Sequence, residues 1–122
     1  MPIILNGYLD FAAGATQDMF LICPVALQMK EVRLCANTIA ADGSNFITLS
    51  VQNADASKTY ATRATSSSGF SVGVVESLTL GEADDRDFAA GSAIKIRVAA
   101  TGSGVAGQIS VSVLCDLGRD YS

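Results

Sequence analysis

Two short segments constrain this chain most. Residues 94–98 read Ile-Lys-Ile-Arg-Val, and residues 108–115 read Gln-Ile-Ser-Val-Ser-Val-Leu-Cys. Each alternates apolar and polar side chains at period two, the pattern of a strand with one dry and one wet face. Between them lies Thr101-Gly-Ser-Gly-Val-Ala-Gly107, a run of turn formers. The pattern predicts a β-hairpin with a long, soft tip.

The rest of the chain repeats this grammar. Pro2 to Leu9 is apolar and β-capable, and reads either as a first strand or as an arm, over residues 1–9, reaching a neighbour. Asp18 to Cys23 reads as a short strand, which Pro24 ends or confines to an edge. Leu27, Met29 and Glu31 share one phase and Val32, Leu34 and Ala36 share another, so a bulge or a junction of two strands falls between Met29 and Val32. A helix over Val25 to Ala36 is the second choice. Ala41-Asp-Gly-Ser-Asn45 is a turn signal, because Asp and Asn bond their own backbone and Gly takes positive φ. Phe46 to Gln52 is a clear strand with Ile47, Leu49 and Val51 on its dry face. Tyr60 and Thr62 mark a brief strand. Phe70 to Leu80 is β-rich, with Gly73 read as a bulge. No segment has a sustained, capped helical period. The expected fold is all-β, an antiparallel β-sandwich or jelly roll of about eight strands joined by Gly, Ser, Asn and Asp turns.

At 122 residues the chain reads as one domain, residues 1–122, with a short C-terminal tail at 117–122. Charged residues are only 16% of it, below the usual share of about 25%. Depleted charge marks surfaces that become covered, so a homo-oligomer or assembly subunit is expected. The net charge is −4 and the basic residues are scattered, which argues against a nucleic-acid partner. The longest apolar run, Phe20 to Leu27, is broken by Pro24 and too short to span a bilayer, so no membrane partner is expected. The N-terminal stretch lacks the basic region of an export signal, so synthesis in a cytoplasm is expected. Cys23, Cys35 and Cys115 are an odd set, which argues against a disulfide framework. A Cys23–Cys35 bridge stays open, requiring that their strands pair.

The chain has no histidine, which removes the commonest general base and the Ser-His and Cys-His relays. No phosphate-binding or nucleophile-elbow motif is present. The expectation is therefore no enzyme and no cofactor. The one dense acidic cluster, Glu82-Ala-Asp-Asp-Arg-Asp87, offers Asp84, Asp85 and Asp87 as weak ligands for a hard cation. It lacks the Asp-x-Asp-x-Asp-Gly layout, and Arg86 offsets its charge. Tyr8, Tyr60 and Tyr121 are the tyrosines that would stack on a sugar if grouped, although single tyrosines more often bridge core and water. The remaining candidates are for contact: Pro2, Ile3, Ile4 and Leu5 as an edge that lies along a neighbour's sheet, with Tyr8 and Tyr121 beside it.

The order of features, Ala41-Asp-Gly-Ser-Asn45, then a Thr/Ser-alternating strand ending Gln52-Asn53, then Ala90-Gly-Ser-Ala-Ile-Lys-Ile-Arg-Val98 and a final Ile109-Ser-Val-Ser-Val113, resembles the small β-sandwich structural proteins of tailed bacteriophages, above all capsid decoration (cement) proteins. The resemblance covers residues 25 to 116 and is one of style, without a diagnostic motif. It implies a virion structural protein on the capsid surface, a homotrimer, with the major capsid protein as partner. A receptor- or glycan-binding module of a phage fibre or cell surface is the alternative.

Overall fold

The computed structural model describes residues 2–82 and 85–117. They form nine strands and no helix: β1 (Pro2–Phe11), β2 (Gln17–Ile22), β3 (Leu27–Ala36), β4 (Phe46–Asn53), β5 (Thr59–Ala64), β6 (Val75–Leu78), β7 (Asp87–Phe88), β8 (Ala93–Thr101) and β9 (Gly107–Leu117). A five-stranded sheet runs in the order β1-β9-β3-β6, with β7 also paired to β3, and a four-stranded sheet runs β2-β8-β4-β5. Every pairing is antiparallel. The fold is thus a β-sandwich, as the alternating patterns predict. The ninth strand is β7, two residues inside the stretch read as an acidic loop.

The two diagnostic segments are strands, but they are not a hairpin. β8 pairs with β2 and β4, while β9 pairs with β1 and β3 in the other sheet. The chain crosses between sheets through Gly102 and Gly104, both at positive φ, and the Asn45 side chain accepts a bond from the Ser103 amide at 2.8 Å. Alternation records which face of a strand is dry and says nothing of its neighbour. Here the dry faces meet across the core: Ile94, Ile96 and Val98 from β8, Ile109, Val111 and Val113 from β9, all without solvent contact. β4 adds Ile47, Leu49 and Val51, and Cys115 continues the dry face of β9.

The phase change in β3 is a bulge. The register with β9 shifts between Met29 and Glu31, so that Leu27 and Met29 before it and Val32 and Leu34 after it all point inward. β3 is therefore one strand, and the helix drawn there is excluded. Residues 70–80 are less regular than their composition suggests. Only Val75–Leu78 is strand; Phe70 makes an isolated bridge to Ile39, and Gly73, at φ 78°, sits in a turn instead of a bulge. β-branched residues favour a pleated surface only where a strand lies alongside, and residues 71–74 lie outside any strand.

Candidate interaction surface

β1 is an ordinary first strand rather than a free arm. It pairs with β9 along all ten residues, from Pro2 opposite Asp116 to Phe11 opposite Gly107. Its alternation splits the contact candidates into two classes. Ile3 and Leu5 turn inward and are half-buried against the core, whereas Ile4 and Tyr8 point out and are more than half exposed. Pro2 stands opposite Asp116 in the ladder, and Tyr121 lies outside the described residues.

β1 is also a sheet margin. Its far edge has no partner strand among the described residues, and β2 occupies the same margin of the other sheet. Met19 and Leu21 of β2 pack against Gly7 of β1, where a glycine leaves room for the Met19 thioether. Along this margin Ile4 and Tyr8 are exposed on the outer face of the five-stranded sheet, and Phe20 and Ile22 on the opposite outer face, that of the four-stranded sheet. The last two were not legible in the sequence, because Met19 to Ile22 is apolar throughout and offers no polar residue to assign the faces. Beside Phe20 and Ile22 one carboxylate faces two cations. The Arg97 guanidinium donates to both Asp18 carboxylate oxygens, at 2.7 and 2.9 Å, and Lys95 stands 3.8 Å away. The Arg97 bond holds the Asp18 carboxyl below its ordinary range.

The opposite side is built differently. Arg63 of β5, largely buried, closes it. Its guanidinium donates to the carbonyls of Ala64 (2.6 Å), Ser68 (2.7 Å) and Gly69 (2.9 Å), pairs with Glu76 of β6 at 3.2 Å, and lies over the Phe70 ring at 4.6 Å. A planar fork of five donors suits such a cluster of acceptors. Next to it, Glu31 is held by Arg33 and by the Ser77 hydroxyl, and the Arg33 bond lowers its pKa. Beyond these paired charges a strip of Val72, Val74 and Val75 is 54–70% exposed. Between the two margins, the outer face of the five-stranded sheet holds a shallow groove of about 300 Å³ floored by Ser110 and Ser112, with Ile4 on one rim and Val75 on the other.

The other candidates separate widely. Tyr60 is buried, with its ring 5.4 Å from Phe88, so it forms no exposed group with Tyr8. Asp87 is exposed on β7, Asp85 is exposed and takes the Lys58 ammonium as its partner, and Asp84 lies outside the described residues. Arg86 does more than offset charge: it donates to the carbonyls of Leu80 and Gly81 at 3.0 and 2.9 Å and so ties the loop down. Among the described residues no three Cys, Asp or Glu side chains come together as a metal site. Cys23 and Cys35 belong to different parts of the sandwich and are free thiols, as is Cys115. Burial pushes the Cys115 thiol up to about 11.

No family model matches this chain, and no curated protein does. Among solved structures, a chain in the structure of infectious bursal disease virus Gx strain is similar at 12% identity and a TM-score of 0.44, over 98% of this chain and 33% of that one. This chain thus spans about a third of its length, and a likeness at that level carries no argument about function.

Proposed function

We propose that this protein is a non-enzymatic structural component of a virion, a decoration (cement) protein that binds the capsid shell and stabilises it, working as a homotrimer. The observation that supports it most is the exposure of seven large apolar side chains, Ile4, Tyr8, Phe20, Ile22, Val72, Val74 and Val75, along the margins of a small sandwich. Surfaces of that kind gain by being covered, and they lose little by being desolvated. On this reading the chain is made in the host cytoplasm and ends on the capsid exterior. It meets other copies of itself and the major capsid protein, with no role for nucleic acid, membrane, metal or cofactor. Many weak copies bound together then clamp the shell by multivalency. The alternative of a sugar-binding platform loses support from the burial of Tyr60.

The test is cosedimentation of the purified protein with phage heads that lack it, followed by heating of the heads. Saturable binding and a raised temperature of shell disruption are expected. Protein left in the supernatant at every concentration refutes the proposal.

A further inference from the structure

We propose that the outer face of the four-stranded sheet is the surface that meets the shell, and that it receives a side-chain carboxylate flanked by apolar residues of the partner protein. This rests on the function proposed above and names the surface and its chemistry. Directly opposite residues of an antiparallel ladder share a face. Asp18 and Phe20 of β2 stand opposite Arg97 and Lys95 of β8, which in turn stand opposite Ser50 and Gln52 of β4. The alternate residues Leu21, Ile96 and Val51 are buried in the core, so these rows point outward. The face thus has an apolar margin on β2, two cations in the middle on β8, and hydroxyl and amide groups on β4.

The charge on this face does not balance. Lys30, Arg33, Lys58 and Arg63 each have a carboxylate of their own, but Lys95 and Arg97 share Asp18. One positive charge is left over, in a chain whose net charge is −4. Arg97 occupies both Asp18 oxygens, and the Lys95 ammonium at 3.8 Å stands beyond hydrogen-bond reach. Lys95 is only 9% exposed, and a cation so covered is costly without a bonded partner. Next to it in the ladder, the Gln52 amide oxygen is buried with no hydrogen-bond partner among the described residues.

The surplus selects the occupant. One unit of positive charge balances a carboxylate, whereas a doubly charged phosphate would be repelled by Asp18 beside the lysine. Phe20, opposite Lys95, is 51% exposed and Ile22 is 69% exposed. A free carboxylate ion would leave both wet, and one carried between apolar residues covers them while accepting a charge-assisted bond from Lys95. The other outer face lacks this pairing of features: Ile4 and Tyr8 are exposed there, but Arg33 and Lys30 have Glu31 and Asp116.

The experiment compares the parent with Lys95→Met, Phe20→Ser and, as control on the other outer face, Tyr8→Ser, all checked for the parent's circular dichroism. Binding to phage heads is expected to weaken about tenfold or more in the first two, the loss of one charge-assisted hydrogen bond, and to be unchanged in Tyr8→Ser. In parallel, the isotope-labelled chain is titrated with acetyl-Leu-Glu-Leu amide. Shifts of the β2 and β8 amide resonances are expected, absent with acetyl-Leu-Lys-Leu amide and absent in Lys95→Met. Equal head binding by the parent, Lys95→Met and Phe20→Ser overturns the inference, as does a parent that takes neither peptide or both alike. A parent oligomer that Lys95→Met dissociates in light scattering places a second copy on this face and overturns it too. The two proposals fail separately: a chain that takes the acidic peptide on this face but ignores heads sinks the capsid role alone, and head binding indifferent to this face sinks the inference alone.

Discussion

Arg63 offers the sharpest test of how this sandwich is closed. Replacing it with Ala removes five hydrogen bonds and the contact with Phe70, and leaves Glu76 and three carbonyls to find other partners. Breaking a buried ion pair costs about 3–5 kcal/mol. Here Glu76 is one-third exposed and water rehydrates part of the site, so the low end, about 3 kcal/mol, applies. For a chain of this length that corresponds to a fall in melting temperature of roughly 10 °C. Glu76→Gln leaves the carbonyl bonds in place and removes only the partly exposed pair, costing about 1 kcal/mol or less. Arg63→Lys keeps the charge, but one ammonium cannot reach acceptors on both sides of the old fork, so about 2 kcal/mol is expected. Urea denaturation of the four proteins at neutral pH, with equal m-values, gives the comparison. If Glu76→Gln costs as much as Arg63→Ala, the ion pair and not the carbonyl cluster holds this side, and the reasoning fails. If Arg63→Ala lies within about 0.5 kcal/mol of the parent, the residue is an ordinary surface one.

Three further outcomes follow from the same geometry. A Cβ at Gly69 would overlap the Ile39 carbonyl oxygen, so Gly69→Ala is expected to lower stability by about 2 kcal/mol or more in thermal melts; a neutral result would mean that the Ile39–Phe70 bridge shifts freely. Asp18 has a folded-state pKa below its unfolded value, so its stabilisation is present above the unfolded pKa and is lost as pH falls through the folded one. The melting-temperature gap between parent and Asp18→Asn should therefore shrink as pH drops from neutral below about 4, and a constant gap would show the Arg97 pair to be idle. In a native thiol titration only Cys35 should react promptly, because Cys23 and Cys115 are buried and Cys115 is pushed up to about 11; all three should react after denaturation.

The strands were legible where one face is wet and one dry. Phe46 to Asn53 and Gln108 to Cys115 alternate cleanly because water meets one side of each, and even the β3 bulge showed as a slip in phase. Pairing was not legible. β8 and β9 read as a hairpin because adjacent strands with matching patterns look alike whether they share a sheet or face each other across a core. The contact surface was half legible. Ile4 and Tyr8 stand out from β1 by alternation, but Phe20 and Ile22 hide within an unbroken apolar run. The burial of Tyr60 was not legible because nothing local to it announces Phe88, 28 residues on. The cage around Arg63 depends on the carbonyls of a loop, which no side-chain pattern encodes.

The union of β1 with β9 has a temporal consequence. The strand nearest the N-terminus pairs with β9, among the last residues described. At ribosomal speeds of about 5–20 residues per second, β1 emerges several seconds before β9 exists. Throughout that interval a ten-residue β-former whose one charge is Asp10 stands with both edges bare, so the sandwich closes only after β9 has emerged, and nascent chains crowded on one message are the species most exposed to aggregation.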